Sequence, residues 1–310
     1  MRILILGAGG IGGYFGARLQ AGGSDVTFLV RPARAAALQA GGLKVSSPLG
    51  DVAVAPRLLT TVASPFDLVL LSCKAYDLDP ALTAIAPAVG PHTVVLPLLN
   101  GVAHLDRLDA RFGRARVAGG VAHLALTLDE AGGIRHLNAT QRLITGARST
   151  AHTPAMDRLG HVLASISPDY TVSADIEQDM WDKLAFISVL AGATCLMRAS
   201  IGDILLTRAG RHLIEGMLRE SASVATACGH PPSGAKLDAY LAQLTEAGST
   251  LTASMLRDML RGAPTETEHI FGDLTRRADA AALTTPLLDL ASSHLQAYEL
   301  ARHRESATPA

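Results

Sequence analysis

Lysine is nearly missing from this chain. Of its 27 basic residues, only Lys44, Lys74, Lys183 and Lys236 are lysines. An ammonium loses its proton near neutral pH when it is desolvated, whereas a guanidinium does not. Each remaining lysine is therefore a candidate for proton chemistry that arginine cannot perform. Asparagine is scarcer still, at Asn100 and Asn138. The cysteines Cys73, Cys195 and Cys228 lie far apart, which excludes a disulfide framework and a clustered-cysteine metal site. No other metal-ligand spacing and no Gly-x-Ser-x-Gly nucleophile elbow is present. There is no excess of positive charge: 27 basic residues face 28 acidic ones, a net charge of −1. A broad basic face for nucleic acid is thereby excluded. No apolar run reaches the roughly 18–20 residues of a membrane span. Glycines interrupt the apolar start after Leu6, so it does not read as a secretory leader. The expectation is a soluble cytoplasmic protein with no nucleic-acid or membrane partner.

What is present is 310 residues, 48% of them apolar, enough for one large or two medium domains. The first half alternates apolar strands with helical segments. Strands are expected at 2–7, 25–30, 67–72 and 93–98, and helices at 10–22 and 32–40. A hairpin is expected over Leu43 to Val54, around Pro48-Leu49-Gly50-Asp51. This is the rhythm of a doubly wound parallel sheet. Further strands are expected at 116–126, 133–137, 141–146 and 169–173, with a helix at 154–166. Beyond Ala174 strand signals stop. Helices are expected at 176–196, 203–228, 234–261, 266–281 and 286–303, with a frayed end over the last six residues. The fold class is thus α/β, a Rossmann-type dinucleotide-binding domain over 1–174 followed by an all-helical domain over 175–310.

Gly7-Ala8-Gly9-Gly10-Ile11-Gly12 fits G-x-G-x-x-G and sits between a strand and a helix. In that context the first glycine makes the tight turn and the second lets backbone approach a pyrophosphate. The third lets helix and strand pack closely, with the helix N-terminus facing the phosphates. The second strand ends in Arg31 rather than an acid. A guanidinium there suits a 2′-phosphate, so NADP(H) is favoured over NAD(H). Lys74 follows the third strand, at the sheet edge where ligands bind, and is a second candidate phosphate contact. Cys73 reads as filler. Asn100-Gly101 follows the next strand and is also turn chemistry in its own right.

At this point the chain resembles the ketopantoate reductase (2-dehydropantoate 2-reductase) family over nearly its whole length. The resemblance is carried in order by Gly7–Gly13, Leu29-Val30-Arg31, Ser72-Cys73-Lys74-Ala75 and Asn100-Gly101. It continues through Gly119-Gly120-Val121-Ala122-His123 and Trp181-Asp182-Lys183-Leu184. It ends with Ser254-Met255-Leu256-Arg257-Asp258 and Thr265-Glu266. The resemblance implies a substrate cleft between the two domains and NADPH-dependent reduction of a 2-oxo acid. It makes Lys183 the general acid, with Glu266 influencing it or holding polar groups of cofactor or substrate. Asn100 and Ser254 would bind substrate; Gly7, Gly9, Gly10, Ile11, Gly12, Arg31, Lys74, Asn100 and Ala122 would line the cofactor. Thr265-Glu266-Thr267-Glu268 also reads as a helix start, with Thr265 as N-cap and Glu268 closing a capping box. His123 and His269 have no partner pattern and read as structural.

The sequence departs from the family around the acid. Amides expected one and two turns after the lysine are Ile187 and Ala191, and the amide expected before the serine is Leu251. A pocket lined by Ile187, Ala191 and Leu251 leaves a substrate hydroxyl underpaired and accepts an alkyl group. Three readings follow: a ketopantoate reductase or close paralogue, another NADP-linked dehydrogenase with a more apolar substrate, and a non-catalytic NADPH sensor. Met255, Leu256 and Met259 form a stripe that suits either core or a homodimer interface.

Overall fold

The structure is a computed structural model that describes residues 1–149, 154–167 and 169–307. The chain divides into two compact units. Unit 1 comprises Met1–Asn100 and His104–Glu177, and unit 2 comprises Gly101–Ala103 and Gln178–Ala310.

Unit 1 opens with β1 (Arg2–Leu6), α1 (Gly10–Ala21), β2 (Asp25–Leu29) and α2 (Pro32–Gly41). Then come β3 (Leu43–Ser46), β4 (Val52–Val54), β5 (Arg57–Leu59), β6 (Leu68–Leu71), α3 (Leu78–Ile85), β7 (Val94–Pro97) and α4 (His104–Phe112). It closes with β8 (Gly119–His123), β9 (Leu126–Leu128), β10 (Ile134–His136), β11 (Arg142–Gly146), α5 (Pro154–Ala164) and β12 (Asp169–Val172). The main sheet is parallel throughout, in the order β5-β2-β1-β6-β7. Apart from the edge strand β5, its strands are short, apolar and largely buried, as expected of a parallel sheet covered on both faces. The order reverses between β1 and β6, so their carboxyl ends form the switch point where ligands of such sheets bind. Ile3, Ile5, Phe15, Phe28 and Leu70 are fully buried at its core. Two smaller sheets follow, β4-β3-β10-β9 and β12-β11-β8.

Two expectations in this half need correction. The strand expected over 116–126 is broken at Leu124 and Ala125, and its parts join different sheets as β8 and β9. Arg57–Leu59, unassigned from sequence, is the edge strand beside β2.

Unit 2 takes in most of α6 (Ile176–Met197), with α7 (Ile201–Leu205), α8 (Gly210–Ala227), α9 (Gly234–Leu244), α10 (Ser254–Leu260), α11 (Asp273–Ala280) and α12 (Pro286–Ala307). The helices expected over 203–228 and 234–261 are each two helices. Ser200 caps α7 through its hydroxyl, and the α-carbon of Gly210 lies so close to the Ile204 carbonyl that no side chain fits there. The second break has a tertiary cause: the Ser249 and Leu251 carbonyls accept from the Gly202 and Ile201 amides, at 2.8 and 3.0 Å. These are first-turn donors of α7 that have no partner in their own helix. The segment expected at 266–281 begins with a π-helical turn, Glu268–Gly272, before α11. Of the six last residues expected to fray, 305–307 belong to α12, which runs to Ala307, and the other three lie outside the described residues. Glu220 of α8 accepts from the Leu287 and Leu288 amides and so caps α12. Among the described residues α6 alone is long and apolar enough to cross a membrane, and 72% of its most apolar window is buried in the protein.

Candidate functional site

In unit 1 the candidate residues converge on the switch point. Gly7 ends β1 with φ +85°, a conformation that favours glycine, and its face is open, as is that of Gly9. Gly12 is the opposite case. A β-carbon there would lie 2.4 Å from the Ser72 hydroxyl and 2.9 Å from the Gly7 carbonyl. Close packing of α1 on β1 and on the residue after β6 therefore requires glycine at that position. Gly9 caps α1 with backbone only: no side chain bonds into its first turn and no acid lies there. Gly10 and Ile11 open the helix. A half-buried helix N-terminus with no side-chain cap, beside an open glycine backbone, fits a pyrophosphate.

Arg31 caps α2 and is exposed; its guanidinium pairs with Asp77 at 2.8 Å. Both groups are largely solvated, so the pair contributes little and Arg31 is easily redirected to an anion. Lys74 is half-buried and precedes the 3-10 turn Ala75–Asp77. Sequence reasoning missed Arg34, whose guanidinium donates to the carbonyls of Ala8 at 3.0 Å and Gly132 at 2.8 Å. It ties the glycine loop to the β9–β10 connection. Nothing local in the sequence signals this role. Ala122 is buried in β8, and Asn100 is half-buried after β7.

In unit 2 Lys183, on α6, lies within reach of the charge of Glu266. Burial pushes the Lys183 ammonium down to about 8, and the charge of Glu266 opposes that shift. Glu266 is itself buried, within the segment Thr265-Glu266-Thr267. Ile187 and Ala191 continue the Lys183 face of α6 at one and two turns; Ala191 is buried and Ile187 half-buried. Thr194 bonds the Leu190 carbonyl at 2.6 Å and receives the Ala253 amide at 3.4 Å. That contact holds Leu251 and Ser254 beside the same stretch of α6. Ser254 opens α10 and is exposed.

The capping-box expectation for Thr265 and Glu268 does not hold. Thr265 bonds Glu299, and exposed Glu268 receives Gln296 at 2.8 Å. His269, read from sequence as structural, packs against Gly101, which has φ +77°. On α6, Trp181 stacks on His230 and lies beneath the Arg277 guanidinium.

Comparison with known proteins accounts for this arrangement. Residues 3–149 match the family model described as ketopantoate reductase PanE/ApbA, and residues 175–299 match its C-terminal counterpart. The chain belongs to this family. It is 35% identical over 300 residues to YkpB of Bacillus subtilis, an uncharacterized oxidoreductase, covering 96% of this chain and 99% of that one. It is 30% identical over 320 residues to 2-dehydropantoate 2-reductase of Mesorhizobium japonicum, covering 93% and 95%. The 2-dehydropantoate 2-reductase of Geobacter metallireducens superposes with TM-score 0.87 at 29% identity, covering 96% and 99%. D-mandelate dehydrogenase, solved with NADH and anilino(oxo)acetate, shares the fold with TM-score 0.88 at 20% identity, covering 98% and 100%. The chain is thus a 2-dehydropantoate 2-reductase-like oxidoreductase of a dinucleotide-binding family.

Proposed function

We propose that this protein is an NADPH-dependent reductase of 2-oxo acids whose preferred substrate carries an apolar side chain. One observation carries the reading. A lysine drawn towards neutrality opposes a buried glutamate, and the next two turns of its helix present Ile187 and Ala191. On this reading residues 1–174 hold the dinucleotide and residues 175–310 the substrate. Gly7, Gly9, Gly10, Ile11 and Gly12 cradle the pyrophosphate, with Arg31 and Lys74 meeting the 2′-phosphate. Asn100 and Ala122 line the nicotinamide end, and Asn100 and Ser254 bind the substrate's polar end. A bound reduced nicotinamide supplies the hydride. The chain's own part is to manage charge: Lys183 gives its Nζ proton to the carbonyl oxygen as negative charge develops there. Glu266 keeps enough of that lysine protonated to serve. Ile187, Ala191 and Leu251 offer no partner to a side-chain hydroxyl. The fold neighbour solved with an aryl-substituted 2-oxo acid supports the view that such a frame accepts bulk of this kind.

The test is NADPH oxidation by purified protein with ketopantoate beside 2-oxoisovalerate and longer 2-oxo acids. Higher kcat/KM for the alkyl acids is expected. A preference of about tenfold or more for ketopantoate would refute the apolar pocket. Binding of NADPH without turnover of any acid would refute the enzyme and favour a sensor.

Cofactor choice gives a separate check. Arg31→Ala is expected to weaken NADPH binding by about tenfold, the scale of one lost charge-assisted contact, and to leave NADH binding unchanged. Equal loss for both, in a fluorescence titration, would remove Arg31 from 2′-phosphate recognition.

A further inference from the structure

We propose that Glu299, on the C-terminal helix, is a positioning residue for Glu266. Its carboxylate grips Thr265 by both backbone and hydroxyl, and so fixes the next residue where its charge acts on Lys183. The proposal rests on the reading of that pair given above.

Between α10 and the π turn the Gly262 and Ala263 amides bond back to α10 and the Glu266 carbonyl accepts from the Ile270 amide, but no such backbone bond is made by Thr265. It is held from α12 instead. Glu299 Oε1 accepts from the Thr265 amide at 2.6 Å and from the Thr265 hydroxyl at 2.7 Å. Arg302 donates to the other oxygen through Nε at 3.0 Å and Nη2 at 2.9 Å, which fixes the carboxylate plane. The Tyr298 hydroxyl donates to the Ala263 carbonyl at 2.8 Å. The Thr265 and Thr267 hydroxyls lie 2.6 Å apart; since Thr265 donates to Glu299, Thr267 donates to Thr265. Thr265, Glu266 and Thr267 are buried, whereas Gly262 and Glu268 on either side are exposed.

The buried stretch that carries Glu266 is therefore bracketed by a helix more than thirty residues away. Charge-assisted bonds of this kind are the strong ones. Burial alone would raise the Glu299 carboxyl; the bonds from Thr265 and Arg302 outweigh it and hold the group below its usual range, ionised at neutral pH.

The decisive experiment needs no substrate. Trace acetylation of the full-length protein across pH, read by peptide mapping, gives the titration midpoint of Lys183 among the four lysines. The wild-type midpoint is expected near 8. Glu266→Gln lowers it by removing the opposing charge. Glu299→Ala is expected to lower it in the same direction, by about 0.5 unit, and to lower it no further in a Glu266→Gln background. Glu299→Gln keeps the acceptor and restores the midpoint.

A purely structural role gives a different result. Loosening the unit lets water reach Lys183 and raises the midpoint towards 10.5, which overturns the proposal, as does no change at all. If Glu266→Gln itself leaves the midpoint unmoved, the pairing of Lys183 with Glu266 is wrong and the proposal falls with it. Should Glu299→Ala not fold, Thr265→Val removes only the hydroxyl contact. A downward shift supports the proposal and an upward or absent one refutes it.

Discussion

Lys183→Ala is expected to slow carbonyl reduction by about 10²–10⁴-fold, the usual contribution of a positioned acid, while NADPH still binds. The sign of the accompanying pH dependence follows from the lysine's place in the fold. Burial sets its midpoint at about 8, so the proton donor is lost as pH rises through that value. Wild-type reduction therefore declines above pH 8, and oxidation of the hydroxy acid, which needs the neutral amine, rises over the same interval. An alkaline limb that persists in Lys183→Ala would assign it to another group.

The same burial bears on stability. The folded value lies below the unfolded one of about 10.4. Below pH 8 both states are protonated and the folded state carries the whole penalty; the penalty fades from pH 8 upwards and is gone above the unfolded value. A shift from 10.5 to about 8 corresponds to roughly 3 kcal/mol at 1.36 kcal/mol per unit. Removing Lys183 alone would strand Glu266, but removing both charges strands neither. Lys183→Met with Glu266→Gln is therefore expected to melt above the wild type at pH 7, with reduction abolished. Replacing a buried ion pair by groups of similar volume is often neutral or stabilising, and functional sites commonly hold such strain. A lower melting temperature for the double variant would mean that the pair stabilises the fold.

The parts of this molecule that could be read in advance are those whose causes are local. The glycine turn is set by a strand, a tight corner and a helix within a dozen residues, so Gly7 and Gly12 carry their geometry in the pattern itself. The β3–β4 hairpin is likewise local, and its expected extent agrees with the pairing of Leu43 with Val54. β5 is different: Arg57-Leu58-Leu59 is too short to show a period, and only pairing with Thr27–Leu29 makes it a strand. The breaks in the two long helices were hidden for a related reason. An amphipathic pattern runs on through them; the first is interrupted where Gly210 meets the Ile204 carbonyl, and the contacts that interrupt the second join Ile201 and Gly202 to residues 249 and 251. At the candidate site, scarcity drew attention to Lys183, but composition says nothing of its partner. Glu266 entered through family resemblance, and the grip of Glu299 on Thr265 spans two helices. Local pattern even pointed the wrong way there, because Thr265 has the sequence of a cap and spends its hydroxyl elsewhere.

The most severe loss of stability in unit 1 is expected from Arg148→Met. The Arg148 side chain is 2% exposed and lies between two carboxylates. Its guanidinium donates in parallel to both oxygens of Asp109 on α4, at 2.7 and 2.9 Å, and through Nε to Glu177 at 2.9 Å. Arg114 meets Glu177 at 2.7 Å from the half-exposed side. Burial pulls the Glu177 carboxyl up, but Arg114 and Arg148 outweigh it and hold the group below its ordinary value.

Without Arg148 the carboxylates of Asp109 and Glu177 lose their shared buried cation, and breaking such a pair costs about 3–5 kcal/mol. Arg114→Met removes a solvated partner and is expected to cost under about 1 kcal/mol. Glu177's contribution is complete above its unfolded value of about 4.3 and disappears as pH falls through the lower folded value. The gap between wild type and Arg148→Met is therefore wide at pH 7 and narrows below pH 4. Glu177 is the second residue of α6, in unit 1, while Gln178 and the rest of that helix belong to unit 2. Amide exchange in the first turn of α6 should quicken in Arg148→Met before the rest of the helix responds. Urea unfolding of the two arginine variants at pH 7 and pH 3 decides the matter: equal losses, or a gap that does not narrow in acid, would show that the buried guanidinium acts through packing rather than charge.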